Sequence, residues 1–256
     1  MTTAAIVLAA GKGTRMNSGL AKVLHEAAGK TLIQWMLDAL AGADVSEIAV
    51  VVGHQAEAVA ASLPAGVRVA IQKEQNGTGH ATGIGLAALS AVPDNVLVLP
   101  GDMPLIRSAT LVSLLGAHRE SGAAATVLSV EADDPTGYGR LIHEDGKLVA
   151  IVEESDATPL QRLITEVNTS VMVFQGAALL PALDAISTDN VQGELYLTDV
   201  IGVLRVAGNR VGSYIAETEE GLGVNSIDQL AVATAVLESR NDNHARRVHH
   251  QREDVS

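Results

Sequence analysis

The stretch LAAGKGTRM, Leu8 to Met16, packs Gly11, Lys12, Gly13, Thr14 and Arg15 into five consecutive positions directly after the apolar run Ala4-Ala5-Ile6-Val7. A strand, a glycine-rich turn and a helix bring several backbone N–H groups to one point with no side chains in the way, an arrangement that holds phosphate. Two familiar phosphate loops do not fit. The Walker pattern needs a glycine where Ile6 stands and a serine or threonine where Gly13 stands, and the dinucleotide fingerprint fails at its third glycine, which is Met16. Alone, the loop reads equally well as a tight strand-to-helix turn with solvated charges. Asp102, in GDMPL (Gly101 to Leu105), reads by itself as a turn-former capping the next helix or as a cation ligand. Gln72 and Gln75 stand just before Gly77-Thr78-Gly79, and an amide side chain carries the donor and the acceptor needed to read the edge of a base.

These residues need a frame. Ala4 to Ala10 reads as a strand buried on both faces, Thr31 to Leu40 has helical periodicity, and Glu47 to Gly53 is a second apolar run. The alternation continues with a helix near Gln55 to Leu63, a strand at Val67 to Ile71, a helix from Gly77 to Leu89 and a strand at Asn95 to Leu99. Such alternation predicts a mostly parallel sheet covered by helices, with ligands bound beyond the carboxyl ends of the strands. Three loops carry chemistry at that edge: Gly11 to Met16, Gln72 to His80 and Gly101 to Leu105. Beyond Ala123 come a strand at Ala124 to Val130 and a hairpin turning at Asp145-Gly146. Further helices are expected at Pro159 to Leu163, Ala177 to Ile186, Leu195 to Val206 and Ile227 to Ser239. The polar residues 241–256 read as a frayed tail, where His244, His249 and His250 suit solvent better than a closed metal site.

Composition narrows the partners. A chain of 256 residues with 47% hydrophobic content buries a substantial core, while 2% aromatic content leaves little for base stacking. The net charge of −13 argues against a nucleic-acid backbone binder. Yet residues 1–30 hold Lys12, Arg15, Lys22 and Lys30 against the single acid Glu26, which suits a small anion in a cleft. Without cysteine there is no disulfide or thiolate chemistry, and no apolar stretch is long enough to span a bilayer, so we expect a cytoplasmic protein without membrane partners.

LAAGKGTRM, followed by Lys22-Val23-Leu24, resembles the signature of the sugar-phosphate nucleotidyltransferases. The similarity is greatest to the uridylyltransferase half of the bifunctional N-acetylglucosamine-1-phosphate uridylyltransferase/glucosamine-1-phosphate acetyltransferases. Further motifs recur in that family's order: QKEQNGTGHA (Gln72 to Ala81), GDMPL, DPTGYGR (Asp134 to Arg140), IVEE (Ile151 to Glu154), EVNTS (Glu166 to Ser170), QGELYLTD (Gln192 to Asp199) and GVNS (Gly223 to Ser226). The resemblance spans about residues 4–240. It implies an α/β fold with a Rossmann-like, mostly parallel sheet, helices on both faces and a small β-hairpin lobe. The implied nucleotidyltransferase domain covers 1–226, with a side lobe at about 131–173 and a C-terminal helix at 227–240.

The implied reaction joins UTP to N-acetylglucosamine 1-phosphate, giving UDP-N-acetylglucosamine and pyrophosphate. Both reactants are anionic, so positive charge is the first need, and the resemblance assigns it to Arg15 and Lys22. Leu8, Ala9, Ala10, Gly11, Gly13 and Thr14 would line the nucleotide, with Gln72, Gln75, Gly77 and Thr78 on its base and ribose. Magnesium is the implied cofactor, held by Asp102 and Asn225. The sugar side falls to Asp102, Gly139, Glu153, Asn168 and Thr169, with Tyr196 and Thr198 as weaker candidates.

Three residues depart from the resembled pattern: Pro100 replaces a tyrosine, Asn76 an apolar residue, and Ala21 the proline usually found before the signature lysine, leaving the aim of Lys22 less fixed. No hexapeptide period follows Arg240, so acetyl transfer is not expected. Two alternatives compete: another nucleotidyltransferase of the same fold, and a catalytically silent nucleotide-sugar sensor. The oligomeric state is left open by the sequence.

Overall fold

Alternate residues of the first strand go to opposite faces of one sheet, and that division organises the whole structure, a computed structural model describing residues 1–253 and the side chains of residues 1–242. Strand β1 (Thr3–Ala9) leads through the glycine loop and two short 3-10 turns to the small hairpin β2 (Glu26–Ala27) and β3 (Lys30–Thr31). Helix α1 (Leu32–Ala41) follows, its N-terminus capped by Thr31, whose side chain accepts from the Gln34 N–H at 3.2 Å. Then come β4 (Glu47–Val52), α2 (Ala56–Ser62), β5 (Arg68–Ile71), α3 (Thr78–Ala88), β6 (Asn95–Pro100) and α4 (Ser108–Ser121). The second half holds β7 (Ala125–Glu131), the hairpin β8 (Arg140–Glu144) and β9 (Lys147–Val152), β10 (Glu166–Gln175), α5 (Gly176–Leu183), α6 (Asp199–Val206), β11 (Val211–Ile215) and α7 (Ile227–Glu253).

The sheet runs in the order β11-β7-β10-β6-β1-β4-β5. Strands β6, β1, β4 and β5 are parallel, as are β11 and β7, whereas β10 runs antiparallel to both of its neighbours. The β8–β9 hairpin hangs from the first half of β10 and turns at Asp145-Gly146, both with positive φ (50° and 71°), as the sequence signalled.

On one face Ala4 and Ile6 pack with Leu86 of α3, Leu179 of α5 and Val200, Ile201 and Leu204 of α6. On the other, Ala5, Val7 and Ala9 meet Met36 and Leu40 of α1, Val59 of α2 and Leu111, Leu114 and Leu115 of α4. A smaller cluster joins Met16, Leu105 and Val224 to Ala233 and Leu237 of α7. Three segments that carry candidate site residues are thereby packed against one helix.

The boundaries differ from expectation where distant partners intervene. The predicted helix from Leu195 begins only at Asp199, because the preceding backbone pairs elsewhere: Leu195 N–H donates to the Asn76 carbonyl (2.9 Å) and the Leu195 carbonyl accepts from Gly79 N–H (2.8 Å). The helix expected at Pro159 to Leu163 is a single 3-10 turn, Gln161–Leu163. α7 continues to Glu253, past Arg240. Of the tail expected over 241–256, residues 254–256 lie outside the described part, as do the side chains of His244, His249 and His250.

Candidate active site

The carboxyl ends of β1, β4, β5 and β6 open on one edge of the sheet. Because β10 runs the other way, its amino end, Glu166 to Ser170, reaches the same edge. Residues from both halves of the chain therefore meet there.

Lys22, Asp102, Asn225 and Arg15 come together from three separate segments. The Lys22 ammonium forms an ion pair with Asp102 and donates to Asn225 Oδ1 at 2.9 Å; Arg15 Nη2 donates to the same oxygen at 3.0 Å. Asp102 is buried, at 7% exposure, while Arg15 lies open to solvent. The segments are held by backbone as well: Val224 N–H donates to the Asp102 carbonyl at 2.9 Å, and Asn225 N–H donates to Gln229 Oε1 at 2.7 Å. Sequence reasoning missed Gln229; it lies four residues beyond Asn225, within one helical turn.

The glycine loop is shaped around Lys22. Gly13 has φ 59°, and a Cβ there would fall 2.7 Å from the Lys22 Cβ, so glycine is required twice over. Gly11 has open space around it, and Gly11, Lys12 and Thr14 are exposed. Leu8, the penultimate residue of β1, accepts at its carbonyl from Gly101 N–H (2.9 Å), while Ala9 and Ala10 are buried. The Ala10 carbonyl accepts from His54 N–H (3.3 Å) and from the Gln75 amide (3.0 Å).

Gln75 therefore ties the loop after β5 to the loop after β1. Gln72 is buried, and its Nε2 lies 3.2 Å from the Gly77 carbonyl and 3.1 Å from His80 Nδ1. His80 thus has a partner that the sequence did not suggest. Gly77 has φ 102°, and a Cβ there would meet the Leu195 carbonyl at 2.5 Å. The Thr78 hydroxyl accepts from Leu197 N–H at 3.0 Å.

Beside these loops a cavity of 240 Å³ is lined by Leu8, Thr78, Glu153, Asn168, Tyr196 and Thr198, among others. Thr198 donates to Glu153 Oε1 at 2.9 Å, and burial, reinforced by the charges of Asp199 and Asp156, raises the Glu153 pKa despite that hydrogen bond. Gly139 packs over Glu153, and its carbonyl accepts from Asn168 N–H at 2.8 Å. Asn168 Oδ1 accepts from Ser170 N–H (2.9 Å), which holds Ser170 at φ 66°. Thr169 is turned away: its hydroxyl donates to the Leu128 carbonyl at 2.8 Å, inside the core. The Tyr196 hydroxyl reaches Asp156 Oδ2 at 3.4 Å, and Asp156 also accepts from Val191 N–H at 2.9 Å. Tyr138 lies near the charged cluster, within range of Asp102 and Arg15. Its hydroxyl contacts the Gly223 backbone, and its pKa is raised first by burial and then by the charge of Asp102.

The donor set suits a hard dication. Asp102 and Asn225 offer a carboxylate and an amide oxygen converging on one point, where the Lys22 ammonium now sits, and oxygen ligands of this kind suit magnesium. Among the described residues no group of three or more His, Cys, Asp or Glu side chains could hold a metal, so a dication here would rest on this carboxylate and amide oxygen together with other oxygen ligands. No described helix is long and apolar enough to cross a membrane.

Comparison with known proteins accords with this geometry. The MobA-like NTP transferase domain family matches residues 5–198. The chain belongs to that family. As a MobA-like NTP transferase it is 48% identical over 246 residues to the bifunctional protein GlmU of Corynebacterium aurimucosum, covering 93% of this chain and 50% of the relative. It is 44% identical to GlmU of Lactococcus lactis subsp. lactis (98% and 54% covered) and 46% identical to GlmU of Streptomyces coelicolor (93% and 51%). The chain spans about half the length of these curated relatives. A solved structure described as a glucose-1-phosphate thymidylyltransferase from Bacillus anthracis superposes with a TM-score of 0.75 at 18% identity, covering 92% of this chain and 95% of that one. That likeness matches the expected α/β fold of this transferase.

Proposed function

We propose that this chain is a UTP:N-acetylglucosamine-1-phosphate uridylyltransferase, releasing pyrophosphate. The observation that carries the reading is the meeting of Lys22, Arg15, Asp102 and Asn225 beside a glycine loop, in a chain 48% identical over 246 residues to a GlmU protein. In that reading the loop amides of Gly11 to Thr14 hold phosphate oxygens, and Arg15 and Lys22 neutralise the charge that builds as the sugar phosphate oxygen attacks the α-phosphorus. The attacking oxygen arrives ionised, so no side chain need remove a proton. Asp102 and Asn225 would hold magnesium, which when bound supplies Lewis-acid charge neutralisation and a template for the two phosphates. With its Nε2 engaged by Gly77 and His80, Gln72 leaves its amide oxygen to accept from the uracil imide N–H. Gln75, Gly77 and Thr78 shape the rest of that side. The 240 Å³ cavity takes the sugar, with Glu153, Asn168, Gly139, Tyr196 and Thr198 around it. These substrates suit a cytoplasmic enzyme with no nucleic-acid or membrane partner.

Pyrophosphate release with magnesium, offering UTP, TTP, CTP and GTP against N-acetylglucosamine 1-phosphate and glucose 1-phosphate, tests this. UTP with the N-acetyl sugar should be the best pair. Another best pair would refute the substrate assignment, and nucleotide-sugar binding without turnover of any pair would favour the sensor.

A further inference from the structure

The backbone entering Lys22 is held from outside by one side chain. Gln55, at the junction of β4 and α2, has φ 52° and ψ 40°. Its Oε1 accepts from Ala21 N–H at 2.9 Å, and its Nε2 donates to the Gly19 carbonyl. Among the described residues these are the only hydrogen bonds joining residues 18–21 to a residue distant in sequence. The others are local, from Leu20 N–H to Ser18 Oγ and from Leu24 N–H to the Ala21 carbonyl. Lys22 follows directly, and its ammonium must reach both Asp102 and Asn225. Ala21 itself is buried, with φ −56° and ψ 136°, a region in which a proline ring would lock the chain unaided.

We propose that Gln55 is a positioning residue for Lys22, a side-chain clamp supplying the rigidity that alanine at position 21 lacks. The inference rests on the reading of Lys22 as a phosphate-facing cation. An amide clasping one N–H and one carbonyl on either side of Leu20 restrains that segment much as a neighbouring strand would. Gln55 touches neither the cavity nor the charged cluster, so its effect passes through Lys22 alone.

A double-mutant cycle of Gln55→Ala and Ala21→Pro tests this, read as kcat, KM for UTP and for the sugar phosphate, thermal midpoint and hydrogen exchange at the Ala21 amide. Gln55→Ala should lower kcat about tenfold, within the ~100-fold that an ångström of misplacement can remove, with KM for the sugar phosphate little changed. Ala21→Pro alone should also impair turnover, since its ring enters space beside an oxygen now 2.9 Å from that nitrogen. Together the two changes should restore most of the activity, because the ring fills the place that the glutamine vacates; a merely structural loss would add instead. In a Lys22→Ala background Gln55→Ala should cost nothing further. Unchanged kcat in an active enzyme, or additive loss in the double variant, overturns the proposal. Should the wild type transfer no nucleotide, the functional reading fails, and the clamp is judged by amide exchange. Faster exchange at Ala21 in Gln55→Ala supports it, and unchanged exchange overturns it.

Discussion

Lys22 is the residue on which the electrostatics turn, since its ammonium meets both oxygens that would otherwise face a dication. Removing the Asp102 carboxylate deprives that point of its one formal negative charge, whereas the backbone bond from Val224 N–H to the Asp102 carbonyl survives the substitution. Asp102→Ala should therefore cut kcat by about 100-fold or more, the scale for losing one preorganised electrostatic contact, and leave the thermal midpoint within a few degrees. Near-normal rates at saturating magnesium would remove Asp102 from the reaction. Much at this scale was legible in the sequence. Arg15, Lys22, Asp102 and Asn225 stand in ordered motifs, and the structure brings their side chains together through two hydrogen bonds and an ion pair. The clamp from Gln55 and the support from Gln229 were not legible, because a surface glutamine in sequence carries no sign of which backbone it will face.

At the scale of elements, the loop after β5 is sealed by the segment before α6. Leu195 pairs with Asn76 and Gly79, and Gly77 sits so close to the Leu195 carbonyl that a methyl group would be 2.5 Å from it. Gly77→Ala should strain the backbone at φ 102°, costing about 1–3 kcal/mol of stability and raising KM for UTP more than KM for the sugar phosphate. Denaturant unfolding and steady-state kinetics on the same preparation separate the two effects. Equal KM values for Gly77→Ala and wild type would contradict the role given to this loop. Helix α4 shows why element reading from sequence fell short. Its N-terminus has no local side-chain cap; the buried Glu220 accepts from Arg107 N–H at 2.9 Å and from the Thr110 hydroxyl at 2.9 Å, across 113 and 110 residues of chain. The sequence reading implied a helix after Asp102 but set no bounds for it, and a cap supplied from so far away leaves no local signature. Strand β10 escaped for a related reason: its reversed direction is fixed by β6 and β7, not by its own residues.

For the whole molecule, the edge of the sheet opposite the site is a matter of stability. His118 is buried with Nδ1 2.9 Å from the Thr126 hydroxyl, and burial first, then the charge of Arg119, lowers its pKa to about 4. A histidine kept neutral in the fold binds its proton more readily when unfolded, so its contribution is complete above pH 6.5 and is lost as pH falls from there through about 4. At about 1.4 kcal/mol per pKa unit this amounts to at most about 3.5 kcal/mol, and less to the extent that solvent screens the imidazole. His118→Gln should flatten the acid side of the stability profile across that window, measured as the difference in unfolding free energy from wild type at each pH. A constant difference from pH 7 to pH 4 would show that the imidazole does not titrate with folding. The broad architecture was readable because alternating apolar runs dictate strands between helices. The 256-residue chain places its charged loops at one edge for the same reason, since parallel strands deliver their carboxyl ends together.

The most direct measurement is the crystal structure of the protein with UDP-N-acetylglucosamine and manganese, with the metal located by its anomalous signal. The account predicts a single strong peak between Asp102 and Asn225, the diphosphate against residues 11–15 with Arg15 or Lys22 on its oxygens, and the uracil beside Gln72. A nucleotide bound away from that loop, or a metal peak distant from both oxygens, would contradict it.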